Sequence, residues 1–497
     1  MKTFKHILTL GAFSATLGLG LLTSCSQDNL EVKPRTSLAS EVAFDTPSRV
    51  LLQVNNMYDF MKAGAFLGGR YQIYGDIRAD DFINRTSNGV TGVAVWQHTL
   101  TEASQNDVIN LWGAAYQAIN QINVLLAGLE TNTSKFAAAP FPADFAATAA
   151  GYKAEGQFLR ALAYYSLLQY YARPYADGNG SKPGLPLRLM AETDLGNNNL
   201  ARSTVAEVYD QILKDLNAAE ESLLVTTTNT VTRAHQNTAI ALKTRVYLSM
   251  GRYADVIREG NKIVSATAPF RASTGVAHAL NPSIAAVFTS EQNGVESILS
   301  FPFTAQDQPG TQNQLAFYYL PPTQGGNGEY NLNTAGVIAN TRFKATDARL
   351  TSFTTRVGTT TYLTKYRNGG TSAAPYTDNA PVIRYSEVLL NLAEALARTE
   401  GLANVRALEL LNAVHTRAGS DAYTAATFTG TFSLVDAILL ERRLEFLGEG
   451  LRNNDIMRLL QPIPAKSVVP AVLPSAVSYI WPIPSSELGS NLLMTRN

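Results

Sequence analysis

The chain has 497 residues, with 40 basic residues balanced by 40 acidic residues, 45% apolar residues and a single cysteine. The charged fraction of 16% is low, and balanced charge provides no basic field to hold a nucleic-acid backbone, so a nucleic-acid partner is disfavoured. One cysteine excludes an intramolecular disulfide, and five histidines leave few ligands for a metal site. We therefore expect a large folded protein without a cofactor or a bound metal.

The first element along the chain is a secretory signal. Two lysines precede an uncharged stretch over residues 7–22, and small residues follow it. Residues 22–25, Leu-Thr-Ser-Cys, resemble a bacterial lipobox, in which the cysteine becomes the acylated N-terminus after cleavage. This pattern predicts a lipoprotein signal peptide over residues 1–24, lipid attachment at Cys25 and a mature net charge of −2. Because no later apolar run is long enough to span a bilayer, we expect acyl chains to tether the mature protein to a membrane.

Helical periodicity follows in eight segments, in which apolar residues recur at steps of three and four residues. Thr204 and Glu207 form a capping-box pattern, and glycines stand near several predicted C-termini. The predicted helices are 106–129, 153–171, 204–224, 237–250, 253–264, 385–399, 404–417 and 433–447. They form pairs joined by short turns, which predicts a mainly α fold with a degenerate tetratricopeptide-like helical-repeat scaffold.

Three regions do not follow this periodicity, namely about 65–102, about 267–380 and 461–497. The middle region is rich in Gly, Thr, Asn and Pro, and short pieces such as Ser297–Phe303 and Thr359–Tyr366 have strand character. We expect a loop-rich insert with small β-hairpins there. Loops of this length in a compact protein are more often functional than idle.

The sequence also resembles a known family in several places along its length. These are residues 112–123, 158–171, 384–395 (beginning RYSEVLL), 441–458 (beginning ERRLEF) and 481–484 (WPIP). Taken in order, they resemble the SusD/RagB family of outer-membrane nutrient-binding lipoproteins. The resemblance implies a SusD-like helical-repeat domain over residues 41–497, behind a lipidated leader at residues 25–40.

The same resemblance implies a function. It implies non-catalytic capture of a glycan, or a related oligomer, and its delivery to a SusC-like TonB-dependent outer-membrane porin. The protein would be lipid-anchored in the outer membrane and would face the cell exterior. Two alternatives stay open at this point: a helical-repeat scaffold or lid of the transporter without its own ligand site, and a surface glycosidase.

Sugar capture requires flat apolar faces for pyranose rings, with amide, carboxylate or guanidinium groups for the hydroxyls. Candidates are therefore aromatic and charged residues in the irregular regions. Alternation along residues 315–320 would bury one of two adjacent tyrosines and expose the other. The predicted ligand-binding residues are Tyr74, Asp76, Arg78, Asp81, Trp96, Tyr318, Tyr319 and Tyr330.

Other conspicuous residues are predicted to be structural. A glycosidase would need two carboxyl groups across the scissile bond, and Asp76, Asp80 and Asp81 are the best local candidates, although binding or loop capping suits them better. The charged stretch Glu441–Arg458, together with Glu394, is predicted to form a structural ion-pair network. Aromatic residues on helical seams are predicted to lie in the core; these are Trp112, Tyr164, Tyr165 and Tyr247.

Overall fold

The structure is a computed structural model that describes residues 42–194, 196, 198–289, 293–369, 375–428 and 430–497. The predicted signal peptide, Cys25 and the leader at residues 25–40 lie outside these described residues. Within the described part of the chain, no helix is both long enough and apolar enough to cross a membrane.

Helices dominate the fold. They are α1 (Pro47–Met61), α2 (Arg70–Ile77), α3 (Val93–Gln97), α4 (Asn110–Thr131), α5 (Phe145–Tyr171), α6 (Val205–Ser222), α7 (Gln236–Ser249), α8 (Tyr253–Ile263), α9 (Leu315–Tyr319), α10 (Ala348–Phe353), α11 (Tyr385–Glu400), α12 (Val405–Arg417), α13 (Leu434–Glu445), α14 (Leu451–Arg458) and α15 (Ser485–Ser490). The prediction of a mainly α fold is confirmed, whereas the tetratricopeptide-like repeat stays a prediction.

All eight predicted helices are present, and most of their ends agree closely with the prediction. The capping box is also confirmed: Thr204 Oγ1 accepts from Glu207 N at 3.2 Å, and Glu207 Oε2 accepts from Thr204 N at 2.7 Å. The largest difference is in α5, which begins at Phe145 rather than Lys153. Its first two turns are rich in alanine, which favours helix without producing apolar periodicity.

The short strands form three two-stranded antiparallel sheets. The strands are β1 (Phe82–Asn84), β2 (Ser297–Phe301), β3 (Tyr330–Leu332), β4 (Thr354–Val357), β5 (Thr360–Leu363) and β6 (Ala380–Arg384). The strand character of the two predicted pieces is confirmed, and β4 and β5 form a local hairpin. For β2 the expectation of a hairpin is wrong. This strand is buried throughout and pairs with β6, which is far along the chain.

The helices pack largely in chain order around one large apolar cluster. Helix α5 packs on α4 and α6, α7 packs on α6 and α8, and α11 packs on α8, α12 and α13. The cluster includes all four aromatic residues that were predicted to be core; these are Trp112, Tyr164, Tyr165 and Tyr247.

The charged stretch near the C-terminus forms the predicted structural ion-pair network. Arg417 and Arg384 contact Glu445 at 2.6 and 3.0 Å, and Arg458 contacts Glu394 at 2.6 Å. Burial alone would raise the pKa of Glu445, but the neighbouring guanidinium groups hold it well below its ordinary value. These carboxylates are therefore ionised partners of arginines, as a structural network requires.

Candidate functional site

The eight predicted ligand-binding side chains lie in the interior. Each of them exposes at most 6% of its surface; they are Tyr74, Asp76, Arg78, Asp81, Trp96, Tyr318, Tyr319 and Tyr330. An enclosed ring has no face to offer a sugar. As packed here, these residues do not form the exposed platform that the sequence suggested.

The aromatic members of this set stabilise the loops around them. The rings of Tyr318 and Tyr330 stack with centroids 6.2 Å apart. Their hydroxyls donate to backbone carbonyls of neighbouring loops, and the indole N–H of Trp96 donates to the carbonyl of Phe82 at 2.9 Å. Each polar atom of these rings thus has a partner within the chain.

The charged members of the set connect α2, and the turn after it, to the C-terminal half of the protein. Asp81 accepts from Arg443 at 2.6 and 2.8 Å, and Asp76 accepts from the backbone N–H of Gly450 at 2.9 Å. Burial raises the pKa of Asp76 well above its ordinary value. The guanidinium of Arg78 donates to Asn453 at 2.6 Å. The geometry is that of a structural junction.

The expected alternation over residues 315–320 is wrong, because this segment forms the helix α9. Both Tyr318 and Tyr319 point inward, and Phe317 is the aromatic residue left partly exposed. Successive residues of a helix are about 100° apart, so three consecutive rings cannot share one face.

Phe317 belongs to a surface that we call the loop face. It combines partly exposed rings, two amides and one guanidinium group where α9, the β1–β3 sheet and the β4–β5 hairpin meet. We define the loop face by Arg85, Phe317, Gln324, Asn327 and Tyr376, with the buried ring of Tyr362 beneath Arg85. The predicted ligand-binding residues do not include Arg85, Phe317, Tyr362 or Tyr376, although all four lie in the irregular regions of the sequence.

The rings of the loop face are held by backbone contacts. Phe317 and Tyr376 meet edge to face with centroids 6.3 Å apart. The hydroxyl of Tyr376 donates to the carbonyl of Gly325 at 2.6 Å, and the N–H of Asn327 donates to the carbonyl of Phe317 at 2.8 Å. Both partly exposed rings are therefore fixed before any ligand arrives.

A buried carboxylate organises the polar side of the loop face. Glu329 is fully buried and accepts from Thr91 Oγ1 at 2.9 Å and from Asn88 Nδ2 at 3.5 Å. Thr86 and Asn327 also donate to it. Because the NH₂ group of Asn327 is engaged, its carbonyl oxygen is left at the surface as an acceptor for a hydroxyl.

Arg85 completes the loop face and lies over the buried ring of Tyr362. The guanidinium carbon of Arg85 lies 5.4 Å from the centroid of the Tyr362 ring, a cation–π contact. The backbone of Gly328 passes close to both side chains with φ +58°. A Cβ there would lie only 2.9 Å from the ring of Tyr362. Glycine is therefore required for this close approach.

A polar groove of about 440 Å³ adjoins the loop face at Gln324. It is lined mainly by hydroxyl groups and one further guanidinium; besides Gln324, its residues are Ala285, Thr351, Ser352, Thr354, Thr355, Thr364 and Arg367. The described residues contain no group of three or more His, Cys, Asp or Glu side chains that could hold a metal ion. Together, the loop face and the groove offer ring stacking and hydrogen bonding, the interactions that a saccharide requires.

Two family sequence models account for nearly the whole chain. The model of the SusD family matches residues 244–497, and a model described as "Starch-binding associating with outer membrane" matches residues 28–248. The chain belongs to the SusD/RagB family. The resemblance of the sequence to this family is thereby confirmed.

Known relatives share the fold over most of their length. The solved structure of a SusD superfamily protein from Bacteroides fragilis is 31% identical, with a TM-score of 0.79 over 91% of this chain and 99% of that one. The SusD-like protein P38 of Formosa agariphila is 24% identical over 539 residues, which cover 100% of this chain and 99% of its own. A solved structure of a laminarin-binding SusD-like protein is 21% identical, with a TM-score of 0.68 over 91% of this chain and 99% of that one.

Proposed function

We propose that this protein is a non-catalytic surface lipoprotein that binds a glycan, or a related oligomer, at the loop face and delivers it to a SusC-like TonB-dependent transporter for nutrient uptake. The observation that carries the proposal is the loop face itself. Its fixed rings, Phe317 and Tyr376, adjoin a guanidinium and two amides that are open to solvent. Rings of this kind stack on the C–H faces of sugars, while the polar groups bind hydroxyls.

The relatives of the chain and the open shape of the loop face support a glycan as the ligand. The laminarin-binding relative shares this fold, and the description of the family model that matches the first half of the chain names starch binding. The loop face is an open surface extended by a polar groove, so it suits a segment of a long polymer better than a small enclosed molecule.

The proposed location follows from the sequence and from the family. A signal peptide at residues 1–24 and an acylated Cys25 would anchor the domain at residues 41–497 through the leader at 25–40. The description of one matching family model mentions association with the outer membrane. We therefore propose a lipid-anchored protein of the outer membrane that faces the cell exterior and partners a SusC-like porin.

The pairing of the acidic residues supports binding without catalysis. Asp80 and Asp81, which a glycosidase in this region would use, both form ion pairs with Arg443, at 2.8 and 2.6 Å. Asp76 is buried against Gly450. Neither arrangement leaves two free carboxyl groups on either side of an open cleft.

The test is a binding assay on residues 26–497 with laminarin, starch and xylan. We expect at least one of these polysaccharides to bind without release of reducing ends. The double variant Arg85→Ala/Tyr376→Ala removes the cation and one ring of the loop face, so its affinity is expected to fall at least tenfold, which corresponds to about 1.4 kcal/mol.

The matched control is Tyr253→Ala. Tyr253 is, like Tyr376, a partly exposed tyrosine, but it lies on α8 beneath the guanidinium of Arg398, at 5.5 Å. We expect this variant to bind as the unmodified protein does. Equal affinity of the double variant and the unmodified protein would overturn the loop-face assignment, and failure of every polysaccharide to bind would favour a scaffold without a ligand site.

A further inference from the structure

A second cleft lies outside the loop face and shares no lining residue with it. It is formed by α4, the extended segment at residues 186–194 and α15, and its volume is about 670 Å³. Ligand sites in proteins typically measure about 300–1,000 Å³. The cleft is therefore large enough for a sugar unit.

One wall of the cleft carries a charged trio whose geometry is fixed. Arg188 donates to Glu192 at 2.6 Å, and its other terminal nitrogen lies 3.5 Å from Glu487. The side chains of Arg188 and Glu487 are only 13% and 12% exposed. The indole N–H of Trp112 donates to Glu487 at 3.2 Å, which helps to fix the orientation of the Glu487 carboxylate.

The segment that bears Arg188 and Glu192 is tied to α4 by amide side chains. Asn120 donates to the carbonyl of Glu192 at 2.9 Å and accepts from its N–H at 2.8 Å. Asn123 donates to the carbonyl of Arg188 at 3.0 Å. These contacts preorganise the wall and leave the exposed amide of Gln117, on the same helix, available to a ligand.

The cleft also has an apolar side. Tyr116 and Phe60 line it and are both partly exposed. Tyr116 is held by the Trp112 ring, at a centroid distance of 4.7 Å, and by its own hydroxyl, which donates to the carbonyl of Pro186 at 3.0 Å. The fixed ring of Tyr116 and the partly exposed ring of Phe60, beside carboxylates and amides, offer apolar contacts for a pyranose next to hydrogen-bonding groups for its hydroxyls.

We propose that this cleft is a second binding site for a neutral, hydroxyl-rich ligand, a saccharide unit. Two carboxylates against one guanidinium give the wall a net charge of −1, which repels uronates and sulfated sugars but accepts hydroxyl donors. The inference rests on the proposed function, because it assigns the same class of ligand to a second place on the chain. Two sites would hold one long glycan at two points and raise its apparent affinity without tighter individual contacts.

A substitution at Gly113 can be used to block the cleft. It lines the cleft on α4, and a Cβ added there would meet no atom within 4 Å. Because the Cβ position is open, Gly113→Leu would place a bulky side chain at the cleft, and replacing a helical glycine improves helix propensity. Gly151→Leu is the matched control, because Gly151 is an equally open glycine on α5 that lines a different groove.

The experiment is calorimetric titration of residues 26–497 with hexasaccharides of laminarin, starch and xylan. For a hexasaccharide that binds, we expect about two sites per chain, falling to about one in Gly113→Leu and staying at about two in Gly151→Leu. Arg85→Ala/Tyr376→Ala should also lower the number to about one, and its combination with Gly113→Leu should abolish binding.

The outcomes separate this inference from the proposed function. A single site that Gly113→Leu leaves unchanged and Arg85→Ala/Tyr376→Ala removes would overturn the second site and keep the loop face. A single site that is lost in Gly113→Leu would keep the cleft and contradict the loop face. Absence of binding by all three hexasaccharides would refute both.

Discussion

At the scale of single residues, the most specific sequence motifs mark buried charges whose partners come from distant parts of the chain. In the stretch at residues 441–446, Glu441 contacts Arg349 at 2.5 Å and Glu445 contacts Arg384 at 3.0 Å. An unpaired charge in such a place would cost several kcal/mol, so each of these side chains requires its partner. The specificity of the motif thus reflects how the fold is assembled, whereas the groups proposed to meet ligand lie outside it.

Two buried histidines predict how stability depends on pH. The rings of His235 and His278 stack with centroids 5.2 Å apart and are almost fully enclosed. Burial lowers the pKa of His235 to about 3 and that of His278 to about 4. As the pH falls below about 6.5, the ordinary pKa of histidine, the unfolded chain therefore binds protons at these two positions before the folded protein does. Above that pH the two neutral histidines contribute fully to the free energy of unfolding. This contribution falls on acidification, by about 2 kcal/mol per histidine at pH 5.

This pH dependence can be measured by urea unfolding at pH 7 and pH 5. His278→Gln has no titrating ring at that position, so it should lose about 2 kcal/mol less than the unmodified protein between the two pH values. The unmodified protein, measured in parallel, provides the reference for all other titrating groups. An equal loss in both proteins would show that His278 is not kept neutral by burial.

At the scale of elements, the helices could be predicted from the sequence and the proposed ligand surface could not. Helices such as α6 carry their signals locally, in apolar periodicity and a capping box. The loop face depends on pairings between distant segments, such as β1 with β3. Which ring of α9 is exposed depends on those neighbours, so local pattern could not choose Phe317 over Tyr318.

The contact of α2 with the turn before α14 predicts a strong glycine requirement. A Cβ on Gly75 would lie 2.1 Å from the carbonyl oxygen of Gly450, so the two backbones could not stay in contact. We expect Gly75→Ala to lower the free energy of unfolding by about 3 kcal/mol, the upper end of ordinary overpacking. Gly113→Ala is the control, since the open helical site should gain about 1 kcal/mol. Urea unfolding measures both values, and equal stability of the two variants would contradict the close packing.

At the scale of the whole molecule, the two family models meet inside a helix. One ends at residue 248 and the other begins at residue 244, both within α7, which is buried almost throughout. The C-terminal segment then returns to α5, where the backbone N–H of Trp481 donates to the carbonyl of Tyr170 at 2.7 Å. The boundary between the family models therefore divides a continuous core.

This continuity predicts that the described chain unfolds as one unit. Neither half can bury its side of α7 alone, and α5 would lose Trp481, whose ring lies 4.6 Å from that of Tyr170. We expect calorimetry of residues 26–497 to show a single transition with equal calorimetric and van't Hoff enthalpies. The fragment 42–248 should lack a cooperative transition by circular dichroism, because its exposed core surface has no replacement partner. A folded fragment, or two separate transitions in the full chain, would divide the protein into two domains and contradict the single domain predicted over residues 41–497.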